Sequence, residues 1–412
     1  MNKKGKAKIL DFCNIANSKI DKLSSNSLLI EYLYLIILTF FIIYYSQQTI
    51  RYPDNWFKLD YNKLRAILHC YIVFKFAFTD KLVFSPKESI LAVLLLFSFA
   101  YSTYQTGYTV VLDTALLILG AYKVRSTSIL KTYIAVKLPF ILGTIVCSQL
   151  GIFENLIYNQ HGRIRESFGF IYPTDFAAQV FFLIVAWTLI RHVQISYLEL
   201  TAFMLIALFL KLKSDTRCSV ISICLVVCAV AFWKNFYFFK IKEKIHHIFV
   251  KINLWCCLIS PYFFAIFMIL LCRFYMPDNK IMALLNKMTT GRLKLGKKTF
   301  DYYDIQLYGQ YIDMQGNGGT LEKPVDYTFI DCSYINILMR FGLIVFFVVL
   351  ALITFLMIKN RENLLIVYLI MLICLHSVIE HHLFEFYYNI LIILPFASFE
   401  PRKTKYNEKI SP

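Results

Sequence analysis

Residues 273–330 read RFYMPDNKIMALLNKMTTGRLKLGKKTFDYYDIQLYGQYIDMQGNGGTLEKPVDYTFI. The stretch is polar, aromatic and basic, and long apolar runs lie on both sides of it. A chain that crosses a membrane many times and keeps one large polar loop commonly carries its chemistry on that loop. The fold this predicts is an all-α polytopic integral membrane protein with one large extracytoplasmic loop.

Composition supports that class. The 412 residues are 58% hydrophobic and 17% aromatic, far from the soluble globular range, and mean hydropathy is clearly positive. Such a length holds about a dozen transmembrane helices of ~20 residues. Apolar segments fall at 28–47, 64–80, 88–104, 106–122, 131–150, 173–190, 194–211, 216–233, 252–272, 331–357, 363–380 and 383–399. Position 1–27 is then a polar N-terminal segment, 28–272 holds the first nine spans, 273–330 is the loop, 331–399 holds the last three spans, and 400–412 is a tail. The N-terminal segment is too polar for the apolar region of a cleavable signal peptide. The net charge of +17 is read as cytoplasmic loops and anionic lipid rather than nucleic acid. The eleven cysteines lie mostly in apolar runs without regular spacing, as small hydrophobes do.

Lys and Arg in the short loops set the expected orientation. The N-terminal segment, the loops around Lys123 and Arg125, Arg191, Lys240 and Lys359, and the tail would share the cytoplasmic side, with both termini. The loops 151–172 and 273–330 then lie outside, yet they carry Arg163, Arg165, Arg292, Lys294, Lys297 and Lys298. Outer cations need another reason, and an anionic ligand supplies one.

Five stretches carry candidate chemistry. In GRIRESFGFIYPTDFAAQ (162–179), Arg163 and Arg165 precede a helix opened by Pro173; they suit bidentate phosphate binding or snorkelling to lipid headgroups. In KLKSDTRCSV (211–220), Arg217 begins a span and can serve a ligand or pair with Asp215. In LLNKMTTGRLKLGKK (284–298), Gly291, Arg292 and Lys294 resemble an anion-binding turn or a solvated basic helix, without the spacing of a nucleotide-phosphate loop. Asp331 sits at a membrane edge, as a general base toward a hydroxyl or as a helix cap. Glu380, His381, His382 and Glu385 cluster in HSVIEHHLFEFYYN (376–389), as metal ligands or as a polar turn; the H-E-x-x-H order is missing.

Together, in this order, these segments resemble a Wzy-type bacterial polysaccharide polymerase of capsule and exopolysaccharide clusters, related in layout to O-antigen ligases. The likeness rests on Arg163/Arg165 followed by SFGF and Pro173-Thr174, on SDTRCSV, and on Leu285-Asn286 to Gly291-Arg292. It rests also on Tyr308-Gly309-Gln310 and on Asp331-Cys332-Ser333-Tyr334 followed by Phe341-Gly342. Two positions depart from the family pattern: Cys332, and Thr174-Asp175, stand where asparagine is usual. The resemblance implies a GT-C-like membrane glycosyltransferase in the bacterial cell membrane. Such an enzyme joins undecaprenyl- or other polyprenyl-diphosphate-linked repeat units at the outer face of the cytoplasmic membrane, beside a flippase and a chain-length regulator. It implies Asp331, Arg163 and Arg217 as catalytic residues. Arg165, Arg292, Lys294, Gly291, Tyr308, Glu380, His381 and His382 would bind substrate. It implies no metal and no other cofactor. A lipid-linked oligosaccharide flippase and a ligase-like transferase with another acceptor are the competing readings. A transporter calls for internal repeats and charges deep in several spans; Lys75, Lys137 and Arg340 are the main interior charges, and no repeat is visible.

Overall fold

Apolar runs fold as helices that short polar connections reverse. The structure is a computed structural model that describes residues 27–53, 59–78, 85–160, 162–236, 243–322 and 324–399. The tail 400–412 and all of the N-terminal segment but Ser27 lie outside the described residues. In chain order the helices are α1 (Ser27–Gln47), α2 (Tyr61–Phe78), α3 (Pro86–Thr106), α4 (Thr109–Gly120) and α5 (Ser126–Gln149). Then come β1 (Ile157–Gln160) and β2 (Arg163–Glu166), an antiparallel pair with Gln160 opposite Arg163. Next are α6 (Pro173–Arg191), α7 (Tyr197–Lys213), α8 (Arg217–Phe236), α9 (Glu243–Arg273), α10 (Lys280–Met288) and α11 (Arg292–Tyr302). Last are α12 (Ser333–Asn336), α13 (Leu343–Lys359), α14 (Leu364–His376) and a 3-10 helix at Ile390–Phe396.

Among the described residues, six helices are long and apolar enough to cross a membrane: Leu28–Gln47, Pro86–Thr106, Ser126–Gln149, Pro173–Gln194, Arg217–Asn235 and Ile248–Arg273. Three shorter apolar helices, α4, α13 and α14, accompany them. Helix starts are written locally. Pro86 and Pro173 occupy the first turn, where a missing N–H costs nothing. Ser85 and Ser196 close capping boxes with Glu88 and Glu199. In α6 67% of the apolar window is buried, against 28% in α3, so α6 is a central helix and α3 a peripheral one.

Long-range hydrogen bonds show which helix ends lie together. At one end, Tyr45 at the close of α1 and Tyr61 at the start of α2 both donate to Asp113 near the start of α4. Arg51 N–H bonds Gly169, Tyr108 Oη bonds the Ile312 carbonyl, and Arg163 pairs with Asp215 between α7 and α8. At the other end, Glu31 pairs with Arg125, Lys123 and Ser126 bond the chain at Phe396 and Ser398, and His192 meets Asn363. The loop 273–330 is partly helical, and among its described residues α11 packs on α9 and buries Leu293 and Phe300.

The apolar segments at 363–380 and 383–399 differ from a regular helical pair. α14 stops at His376, the chain turns through 377–389, and only Ile390–Phe396 winds again, as a buried 3-10 helix containing Pro395. Proline removes a helical N–H. The polar run Glu380-His381-His382 is drawn inward in that turn. The segment 331–357 is likewise interrupted. Ile337–Phe341 form a π-helix, a form often found at functional sites, and Gly342 at φ +95° separates it from α13.

Gly342 also meets Gly309. A Cβ on Gly342 would collide with the Gly309 backbone, and one on Gly309 with the Arg340 carbonyl. The crossing lets the Gln306 and Leu307 carbonyls accept from Leu343 and Ile344 N–H, capping α13 with the loop backbone. Gly342→Ala is expected to cost at least ~2 kcal/mol through φ strain and collision, read as a fall in the unfolding midpoint in detergent. A midpoint unchanged from wild type would remove this role.

The interior charges have structural partners. Lys75 Nζ donates to the Gly120 and Tyr122 carbonyls and so caps α4. Lys137 Nζ donates to Ser46 Oγ (2.9 Å) and Gln179 Oε1 (2.5 Å). Arg340 donates to Asn336 and lies 4.2 Å from the Tyr108 ring centroid.

Candidate functional site

The two ends of the polar loop meet. Gly291 and Thr290, at φ +89° and +52°, turn the chain from α10 into α11 and place Arg292 at the first helical residue. Asp331 lies at the far end of the loop, just before α12. Arg292 Nη2 stands 3.4 Å from Asp331 Oδ1, with the side chains only 15% and 11% exposed. Arg292 Nε donates to the Ile379 carbonyl, and Ser333 Oγ donates to the Glu380 carbonyl, which locks the turn after α14 against the same point.

Electrostatics at this point are those of buried opposite charges. Burial raises the Asp331 carboxyl above its ordinary value, while Arg292 and a hydrogen bond from Tyr327 pull it back. Burial likewise pushes Glu380 up to about 7, opposed by Arg292 and Arg165 and reinforced by Asp331. Burial works against the charge of Arg292, but Asp331 and Glu380 outweigh it and hold the guanidinium protonated. Asp331 Oδ2 is buried and makes no hydrogen bond among the described residues, so one oxygen of the carboxyl has unused acceptor capacity.

Arg165 joins from β2. It is buried, donates from Nε to the Ser214 carbonyl, and lies over the Tyr172 ring at 5.4 Å. Arg163, two residues earlier on the same strand, turns to Asp215 at 2.9 Å. Asp215 also pairs with Lys211. Its backbone is left-handed at φ 41°, and these cations hold its carboxyl below its ordinary value although burial acts the other way. Of the two readings of Arg217, the ion pair with Asp215 is not formed: Asp215 pairs with Arg163 and Lys211 instead. Arg217 is exposed at the first residue of α8.

Gly291 and Lys294 differ from an anion nest. The N–H groups of Thr290, Gly291 and Arg292 are spent on Lys287, Asn286 and Thr289 carbonyls, and Lys294 N–H on Asn286 Oδ1. Gly291 has open space where a Cβ would sit, so it serves the turn's φ and not a close approach. Lys294 is exposed. Tyr308 packs edge-on against Tyr101, at 4.3 Å between centroids, beside the Gly309–Gly342 crossing. Its neighbours are those of a structural contact.

His381 and His382 lie behind Glu380. His382 is fully buried, its Nδ1 is 2.7 Å from Glu385 Oε2, and its ring stacks on Tyr388. His381 packs edge-on against Phe329 and borders a cavity of about 310 Å³. The cavity is lined by Tyr44, Tyr45, Tyr61, Tyr108 and Tyr387 with Arg340, Glu385, Gln48 and Asn336. Asp113 fixes two of these tyrosines by accepting from their hydroxyls at 2.8 and 2.6 Å. An aromatic wall with a few convergent polar groups suits a sugar-sized ligand.

Sequence reasoning missed Tyr327, Tyr172 and the aromatic cavity. Asp175 was visible only as an acid in a first helical turn, yet it is buried opposite His382. A first-turn carboxylate beside a family departure, in Pro173-Thr174-Asp175, was the available signal.

The fold and site define a helical membrane-embedded protein in which Arg165, Arg292, Asp331 and Glu380 gather at one end of the bundle. Comparison with protein-family models, curated proteins and solved structures finds no match for the chain.

Proposed function

We propose that the chain is a membrane glycosyltransferase that polymerises polyprenyl-diphosphate-linked oligosaccharide repeat units into a capsular or exopolysaccharide chain. The observation that carries the reading is the buried Arg292–Asp331 pair, joined electrostatically by Glu380 and Arg165 at the mouth of the bundle. In this reading about twelve segments cross the bacterial cytoplasmic membrane in a GT-C-like arrangement, the site end and loop 273–330 face outward, and both termini are cytoplasmic.

The donor is a growing glycan on a polyprenyl diphosphate, and the acceptor is a sugar hydroxyl of a single lipid-linked repeat unit. The bond from the sugar C1 to the phosphate oxygen breaks, and a bond from C1 to the acceptor oxygen forms. Arg292 and Arg165 neutralise the charge that develops on the departing diphosphate. Asp331 takes the acceptor proton on Oδ2, the oxygen without a hydrogen bond among the described residues. The leaving group is already activated, so no nucleotide enters the reaction. The tyrosine-lined cavity would hold sugar rings of the glycan.

Purified protein in detergent, supplied with lipid-linked repeat unit and no nucleotide sugar, is expected to yield a polymer ladder. Transfer of a single unit onto a different acceptor would favour a ligase. Movement of repeat units across proteoliposomes without a ladder would favour a flippase and overturn the polymerase.

A further inference from the structure

We propose that Asp175, His381 and His382 form a binding site for one divalent first-row transition ion of the zinc class, with Glu385 orienting His382 from behind. One ligand atom from each of the three residues lies within 4.8 Å of the others. A tetrahedral zinc site with bonds near 2 Å needs ligand atoms roughly 3.4 Å apart, a distance that small side-chain rotations reach from here.

The hydrogen-bond pattern argues for a cation. Glu385 Oε2 lies 2.7 Å from His382 Nδ1, and a carboxylate there fixes the proton on Nδ1. The Nε2 atom then presents a lone pair. It faces Asp175 Oδ1 at 3.8 Å, too far for a hydrogen bond, and it is buried with no hydrogen-bond partner among the described residues. Two lone-pair atoms 3.8 Å apart in a buried site ask for a positive centre between them. His381 Nδ1 is a second buried ring nitrogen without a hydrogen-bond partner among the described residues.

The surroundings agree. Asp175 is within electrostatic range of Glu380, Glu385 and Asp331, a set of buried carboxylates that a divalent charge would offset. Lys137 and Arg340 approach the rings from elsewhere, but hydrogen bonds hold Lys137 to Ser46 and Gln179 and Arg340 to Asn336. Two imidazoles and one carboxylate match zinc and its neighbours rather than magnesium or calcium, and leave a fourth position for an outside ligand. The inference does not rest on the transfer reaction, because retention of metal is read without any glycan.

Full-length protein in detergent is stripped with chelator, then equilibrated with Zn2+ or Co2+ and desalted. About one ion per chain is expected, with tetrahedral Co2+ absorption bands and a rise in the unfolding midpoint on adding Zn2+. Asp175→Asn and His382→Gln are each expected to lower retention at least ~10-fold and abolish the Zn2+-dependent rise, and Glu385→Gln to weaken affinity ~10- to 100-fold. Wild-type protein that retains under about a tenth of an ion per chain overturns the proposal. So does equal retention by wild type and by folded Asp175→Asn and His382→Gln variants.

Discussion

Arg292→Ala is expected to abolish polymer formation and to destabilise the protein by about 3–5 kcal/mol. The reason is what it leaves behind. Glu380 is buried and the Asp331 side chain is only 11% exposed, and Arg292 is the cation that lowers the carboxyl pKa of both. Without it one carboxylate must take up a proton or the turn after α14 must open to water. The Ile379 carbonyl also loses its donor, so the turn loosens near His381 and His382. Lysine would keep the charge but cannot span Asp331, Thr290 and Ile379 with one planar fork, so Arg292→Lys should retain most stability and little activity. The double variant Arg292→Met with Asp331→Asn removes the pair together and should recover most of the lost stability without recovering activity. Unfolding midpoints of the single and double variants, run beside the ladder assay, separate the two roles. An Arg292→Ala protein with a wild-type midpoint would show that the pair is not the electrostatic keystone proposed here.

What the sequence made legible, and what it hid, follows from the range of the interactions. Helices and their starts were readable because Pro86, Pro173, Ser85 and Ser196 act within a turn of their own positions. The importance of both ends of the loop was readable because Arg292 and Asp331 stand at composition boundaries. That they pair was not, since the contact depends on α11 docking on α9 and on the Gly309–Gly342 crossing. Asp215 shows the limit in one residue. Its neighbour Arg217 was the natural partner by spacing, but a left-handed φ turns the carboxylate to Arg163 and Lys211. The run Glu380-His381-His382 was read as metal ligands or as a polar turn between two apolar spans; that its polar groups are drawn inward, with α14 ending at His376, could not be read from its apolar flanks. Asp175 was hidden by a reading that was locally sound, since an acid in a first turn is expected there for the helix dipole alone.

Asp331→Asn is expected to lower transfer by about 10²- to 10⁴-fold, the usual contribution of a general base, with the unfolding midpoint changed far less than in Arg292→Ala. Asparagine keeps the size of the side chain and an oxygen for Arg292, but cannot accept the acceptor proton. The pH profile gives an independent reading. Burial raises the Asp331 pKa above that of an exposed carboxylate, so the ionised, active form is present above the raised value and lost as pH falls through it. Wild-type transfer should therefore fall on acidification at a higher pH than that at which an exposed aspartate titrates, and the residual activity of Asp331→Asn should lack that limb. An Asp331→Asn enzyme that keeps both the rate and the acidic limb would move the base elsewhere, with Glu380 the next carboxylate in electrostatic reach of Arg292. An enzyme that loses the rate but keeps the limb would make Asp331 a positioning residue, holding Arg292 in place while another group takes the proton. Only loss of both assigns the proton to Asp331, because its effect on Arg292 alone changes the rate without changing which group titrates.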